Sequence, residues 1–164
     1  MSAEHPNVAV GDRPYVAVAG SGDAPAEDVN AAERVGRALA ARGAVVVCGG
    51  LGGVMEAACR GAKSGGGMTV GVLPTSDRAD ANPFVDVALP TGLGEARNAL
   101  VVRAADALIA IGGEWGTLSE IALAIRAGKT VVGIGTWELS RAGEAVEGIV
   151  RARDPEEAVA LALG

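Results

Sequence analysis

An apolar run from Ala107 to Ile111 enters the turn Gly112-Gly113-Glu114-Trp115-Gly116, and an amphipathic run, Leu118 to Ala127, leaves it. Strand, glycine turn and helix in immediate succession confine the chain to folds in which a helix begins directly above the end of a strand. A helix start carries backbone N–H groups with no partner inside the helix, so the junction suits phosphate or another anion. Glycine at 112, 113 and 116 lets the backbone approach a ligand closely and take positive φ. Glycine also occurs in ordinary strand-to-helix turns, so this stretch alone leaves a purely structural role open.

The same succession occurs twice upstream. Tyr15 to Ala19 is an apolar run closing on Gly20-Ser21-Gly22, followed by a helix from about Glu27 to Arg42 that Gly43 stops. Ala44 to Val47 leads through Cys48 into Gly49-Gly50-Leu51-Gly52-Gly53, which opens a helix with Met55, Ala58, Cys59 and Ala62 on one face. Met68 to Leu73 reads as a strand, Pro74 to Pro83 as a polar flap bearing Asp77, Arg78 and Asn82, and Phe84 to Leu89 as a short strand. A helix is expected from about Leu93 to Ala104, strands over Thr130–Gly135 and Gly148–Ala152, and loop or weak helix over 136–147. Asp154-Pro155-Glu156-Glu157 starts a last helix running to about Leu163. Strands alternating with helices predict a three-layer, Rossmann-like α/β fold, with a mainly parallel sheet of about seven strands and helices on both faces. Residues 1–13 read as a loose tail and 14–164 as a single nucleotide-binding domain. In such sheets the ligand site forms beyond the carboxyl ends of the strands, where all three glycine turns fall.

Composition narrows the function. The 164 residues are 49% apolar and only 2% aromatic, so small side chains must build the core and pack helices closely on the sheet. A net charge of −6 argues against a nucleic-acid surface, where a basic stripe is expected. No apolar run reaches the roughly 18–20 residues of a membrane span, and no signal-peptide pattern opens the sequence, so a cytoplasmic location without membrane contact is expected. Cys48 and Cys59 form neither a CxxC pair nor a ligand cluster and read as reduced, buried thiols.

Few residues can do chemistry. Arg97 stands in a largely apolar helical run, an awkward place for a permanent charge unless an anion or carboxylate meets it, Glu95 being one such carboxylate. Glu120 has two readings: a site carboxylate, or the last member of a Thr117-x-x-Glu120 capping box. Glu114 would repel phosphate, so it points away or limits the approach. Gly20-x-Gly22 is followed by Pro25 where a dinucleotide fingerprint needs glycine, and no acid ends the second strand, which disfavours NAD. His5 is the sole histidine, so a Ser-His triad is missing, and no metal cluster is spaced along the chain. Lys63 and Lys129 fall at the wrong end of the sheet for a Schiff-base cofactor. No cofactor is expected.

Three ordered motifs resemble one family. Gly49-Gly50-Leu51-Gly52-Gly53-Val54-Met55, Gly94-Glu95-Ala96-Arg97-Asn98 and Gly112 through Glu120 are similar to the LOG ("Lonely Guy") family, most closely to its small bacterial nucleotide-binding relatives, over about residues 14–135. The resemblance implies a Rossmann-like homodimer that binds nucleoside 5′-monophosphates and a phosphoribohydrolase activity releasing base and ribose 5-phosphate from cytokinin nucleotides or AMP. It makes Arg97 and Glu120 the catalytic pair. It also makes Gly113, Gly116 and Thr117 the phosphate turn, with Gly20, Ser21, Gly22, Gly49, Gly50, Gly52, Gly53, Asn98 and Gly112 completing the nucleotide site. Gly112 stands where the hydrolases have Pro, Glu114 where they have Gly, and Ala96 and Asn98 where they have Glu and Lys. Relatives with this variant pattern include molybdenum-cofactor carriers, which bind a pterin phosphate without hydrolysis. The domain also resembles the DNA-processing protein fold. Hydrolase and carrier therefore stand as two expectations.

Overall fold

The computed structural model describes residues 10–164, of which Val10–Asp12 form a 3₁₀ turn. The remainder of the expected tail, residues 1–9, lies outside the described residues. The chain then runs β1 (Tyr15–Gly20), α1 (Ala26–Ala41), β2 (Val45–Cys48), α2 (Val54–Ser64), β3 (Thr69–Leu73) and β4 (Val87–Pro90). It continues through α3 (Asn98–Ala104), β5 (Ala107–Ile111), α4 (Trp115–Arg126), β6 (Thr130–Ile134), the short β7 (Ser140–Arg141) and β8 (Glu144–Ala145), β9 (Val150–Arg151) and α5 (Pro155–Leu163).

Seven strands form one sheet in the order β4-β3-β2-β1-β5-β6-β9, and every pairing in it is parallel. The order reverses between β1 and β5, whose register sets Gly20 opposite Ile111. The first and third glycine turns therefore leave the sheet side by side. The three-layer, doubly wound architecture expected from the sequence is present.

Alternation along the central strands divides the core. Val16 and Val18 of β1, Ile109 and Ile111 of β5 and Val132 of β6 face α1, α2 and α5. Ala17, Ala19, Leu108, Ala110 and Val131 face α3 and α4. Both faces are covered, so the strands read as continuous apolar runs rather than as alternating ones. Among the described residues, no helix is long and apolar enough to cross a membrane.

Three local expectations are corrected. The run 93–104 is not one helix: Gly94 has φ +57, a 3₁₀ turn spans Gly94–Arg97, and α3 begins only at Asn98. Within 136–147, β7 and β8 form an antiparallel hairpin rather than a helix. Its turn residues Ala142 and Gly143 both have positive φ (54° and 86°), the geometry a two-residue hairpin turn demands, without the Asn or Asp that normally announces it. The strand expected from Phe84 starts at Val87, because the Asn82 side chain accepts from the Phe84 amide (3.0 Å) and holds a turn there.

Helices α1 and α2 pack almost backbone to backbone. A Cβ on Gly36 would strike the Ala58 carbonyl, and one on Gly61 the Glu33 carbonyl. Helix propensity favours Ala over Gly by about 1 kcal/mol, but overpacking against rigid backbone costs roughly 1–3 kcal/mol. Gly36→Ala and Gly61→Ala are expected to destabilise the protein in urea denaturation. Unchanged or raised midpoints would show that the helices separate freely.

Candidate functional site

Above the β1/β5 switch point lies a cleft of about 360 Å³, a size suited to a small ligand. Its walls are Gly20, Ser21 and Gly22 from the first turn; Leu51 and Met55 from the second turn and α2; Pro74 after β3; Gly94, Glu95, Arg97 and Asn98; and Glu114, Gly116, Thr117 and Glu120. Among the described residues six polar side chains are buried, and four of them, Arg97, Asn98, Thr117 and Glu120, are in this cleft. A larger hollow of about 790 Å³ beneath the β7–β8 hairpin has no buried residue in its lining. The buried polar side chains therefore gather in the smaller cleft.

The third glycine turn leads from β5 into a helix, as the sequence suggested, with a shifted start. Helix α4 begins at Trp115 with Glu114 as N-cap, and its first backbone bond runs from the Leu118 amide to the Glu114 carbonyl (3.1 Å). The Trp115, Gly116 and Thr117 amides precede that bond and have no helical acceptor. The first turn of α4 carries no acidic residue, whereas Glu27 and Asp28 occupy the first turn of α1. The helix after β1, used for phosphate in dinucleotide folds, thus carries two carboxylates in its first turn, whereas α4 has only the N-cap Glu114 beside its free amides.

Because α4 starts two residues before Thr117, the capping-box reading fails. Thr117 is the third residue of the helix and its side chain packs beneath Gly113. Glu120 is a turn further in, and it faces the cleft. Gly112 has φ +51 and a Cβ there would strike the Asp28 carboxylate, so the proline of the hydrolase pattern cannot fit. Glu114 is extended (φ −105°) and needs no glycine. The residue is exposed on the cleft rim.

Arg97, at the junction of the 3₁₀ turn and α3, is 8% exposed. It makes no ion pair with Glu95. One guanidinium nitrogen donates to the Asn98 Oδ1 and another to the Gly49 carbonyl (3.5 Å), while Nε has no partner among the described residues. Burial pushes the Glu120 carboxyl up to about 7, with the Arg97 charge pulling the other way. A buried cation with an unused donor beside a carboxyl poised near neutrality can hold an anion and exchange a proton.

The predicted glycines divide. Gly20, Gly22 and Gly116 line the cleft, while Gly49, Gly50, Gly52, Gly53, Gly112 and Gly113 are absent from its walls. Gly49 leaves room for the Arg97 guanidinium, and Gly53 for the Ser21 carbonyl, which accepts from the Val54 amide (3.0 Å). The carbonyls of Gly50 and Leu51 accept from the backbone and side chain of Asn82 (2.9 Å each), so the expected flap is tied to this turn. Met55, read from sequence as helix core, and Pro74, read as loop, prove to be apolar cleft walls. Behind them the Cys48 and Cys59 sulfurs lie 3.5 Å apart, both free and buried. The bond to Cys48, together with burial, holds the Cys59 thiol above its ordinary range. Lys63 pairs with Asp86 (2.9 Å) and Lys129 donates to the carbonyls of Val102, Arg103 and Ala105, both far from the turns.

A cleft with buried polar side chains at the reversal of a parallel, doubly wound sheet is the architecture of Rossmann-like ligand-binding domains. The chain belongs to the SLOG cluster4 family, whose model matches residues 13–159. It is 42% identical over 144 residues to an uncharacterised protein of Archaeoglobus fulgidus, covering 88% of this chain and 91% of that one. The chain is also similar to solved structures. The molybdenum cofactor binding protein of the phototrophic bacterium Rippkaea orientalis has 33% identity and a TM-score of 0.81, covering 91% of this chain and 94% of that one. The molybdenum cofactor carrier protein of Chlamydomonas reinhardtii has 33% identity and a TM-score of 0.76, covering 90% and 94%.

The Glu120 carboxyl holds its proton more tightly in the folded chain than in the unfolded one, where 4.5 applies. Its contribution to stability is present in full below about pH 4.5 and is lost as pH rises through about 7. Glu120→Gln is expected to exceed the wild type in stability at pH 8 by up to about 3 kcal/mol, the gap narrowing toward pH 5. Urea denaturation at both pH values measures this, and an equal gap at the two would contradict it.

Proposed function

We propose that the cleft binds a phosphate monoester joined to a planar heterocycle, and that the protein carries such a molecule. The observation behind this reading is the buried Arg97, whose Nε is unpaired, in a cleft that also holds the open N-terminus of α4. In this reading the phosphate sits on the Gly116 and Thr117 amides and within reach of Arg97, and the ring lies against Leu51, Met55 and Pro74. A pterin phosphate of the molybdenum-cofactor type is the favoured cargo, supported by the two similar cofactor-binding structures. The residues suit its chemistry: amides and a guanidinium for the phosphate, and apolar side chains for a flat ring.

A second reading rests on the Arg97–Glu120 pair itself. As a nucleoside 5′-monophosphate phosphoribohydrolase, the protein would use ionised Glu120 to stabilise the ribosyl cation that develops as water attacks C1′, with Arg97 holding the phosphate. Exposed Leu100 and Trp115 on α3 and α4, 43% and 73% accessible, support a homodimer through these helices. We further propose no nucleic-acid partner, given the charge of −6.

Calorimetry with ribose 5-phosphate, AMP and a phosphorylated pterin tests the binding reading. Binding is expected, with Arg97→Ala weakening it at least about tenfold. No heat from any of the three at millimolar concentration would refute it. Chromatography for free base after incubation with AMP and a cytokinin monophosphate separates the two readings. Base release lost in both Arg97→Ala and Glu120→Ala favours the hydrolase, and pterin binding without release favours the carrier.

The pH dependence differs as well. Anion binding is expected to strengthen as pH falls through about 7 and Glu120 becomes neutral, whereas hydrolysis would need the ionised form and rise with pH. Glu120→Gln removes either dependence and isolates it from the titration of the phosphate. A dimer is expected by light scattering at micromolar concentration, and a monomer would overturn the assembly.

A further inference from the structure

A chain of hydrogen bonds leaves the cleft, passes through one residue outside it, and returns to a glycine of the cleft wall. Arg97 donates to the Asn98 Oδ1; Asn98 Nδ2 donates to the Ser119 Oγ (2.9 Å); and Ser119 Oγ donates to the Gly116 carbonyl (2.7 Å). Its direction is forced at both ends. A guanidinium can only donate and a carbonyl can only accept, so Asn98 must turn its oxygen to Arg97 and its nitrogen to Ser119. The Ser119 hydroxyl satisfies both requirements, since it accepts from the amide and passes its own proton to Gly116.

We propose that Ser119 is a positioning residue, fixing the Arg97 guanidinium for anion binding by holding the Asn98 amide in one orientation. The proposal rests on the phosphate-binding reading for its purpose, while the relay itself is judged without ligand. Ser119 is absent from the cleft walls and lies instead in a shallow groove between α3 and α4 with Trp115 and Leu123. Arg97 and Asn98 are 8% and 6% exposed, so bulk water does not readily replace a lost partner. Without the hydroxyl, the Asn98 amide keeps its bond to Arg97 but loses the second anchor that fixes where its oxygen stands. The guanidinium is then held by a loosened amide and by the long bond to the Gly49 carbonyl. The relay also ties the cation to the first turn of α4, the same turn that offers its amides to the anion. A serine bonded to the carbonyl three residues back is common at helix starts and by itself would be a local detail. The buried amide that depends on it makes the difference.

Glu120 reports on the relay. The charged and titratable groups around it are Arg97 from the 3₁₀ turn, the Cys48 thiol at the end of β2, and Glu95 and Glu114 on the rim. Of these, Arg97 is the group that pulls its titration down. A misplaced guanidinium pulls less.

The experiment compares wild type, Ser119→Ala and Ser119→Thr at this half-buried helix position. Ligand-free protein carrying ¹³C-labelled glutamate is titrated by NMR, and ribose 5-phosphate binding is measured by calorimetry. Ser119→Ala is expected to raise the Glu120 midpoint and weaken ribose 5-phosphate binding about tenfold. Ser119→Thr keeps the hydroxyl and is expected to restore both. An unchanged Glu120 midpoint in Ser119→Ala, or a change that Ser119→Thr fails to reverse, overturns the proposal. If the wild type does not bind ribose 5-phosphate at all, the phosphate-binding reading fails, and the NMR titration still decides for or against the relay.

Discussion

The parallel pairing of β1 with β5 is the constraint on which the site depends. It joins the two halves of a doubly wound sheet and sets Gly20 level with Ile111, so two glycine turns emerge together and their helices diverge to opposite faces. A cleft opens where they part. The second turn joins it because Gly53 lacks a side chain and the Ser21 carbonyl can bond the Val54 amide. Glycine therefore has two uses here: some residues leave the cleft open, and others let the turns behind it interlock.

Within that frame the buried guanidinium sets the chemistry. Arg97 is taken out of water with fewer partners than it can use, a state that persists because a 3₁₀ turn, a missing Gly49 side chain and the Asn98–Ser119 relay hold it. Glu120 shares the space, and its burial outweighs the pull of Arg97, so its carboxyl sits near neutrality. In the proposed reading, an incoming anion compensates the cation and favours the protonated acid. Binding and proton uptake are coupled in such a cleft, and this coupling separates a carrier from a hydrolase, since the latter would need the carboxylate charged.

The core shows how a chain with four aromatic residues (two Trp, one Tyr and one Phe) stays compact. Small residues let α1 and α2 approach until backbone nearly meets backbone at Gly36 and Gly61. The two tryptophans meet at a tilt, ring centres 5.1 Å apart, beside the start of α4. Trp115 is exposed, while Trp137 is half-buried against the core face that also holds α3 and α4.

The strand–turn–helix order, the parallel sheet and the carboxyl-end site could be read from the sequence, because apolar runs ending in glycine leave few other ways to cover a strand on both faces. Arg97 was also legible, as a permanent charge in an apolar run, and Glu120 through the motif that follows the third glycine turn. What Glu120 does was not. The spacing from Thr117 fits a cap, and only the true start of α4, set by how the turn leaves β5 and packs Thr117 under Gly113, turns the carboxylate into the cleft. The hairpin at 140–145 lacked its usual turn residues, and the break at Gly94 depends on a backbone angle that no side-chain pattern records. The Asn98–Ser119 bond joins two helices 21 positions apart in sequence. Local periodicity carries no information about such a pair, and only packing α3 against α4 on one face of the sheet brings its members within reach.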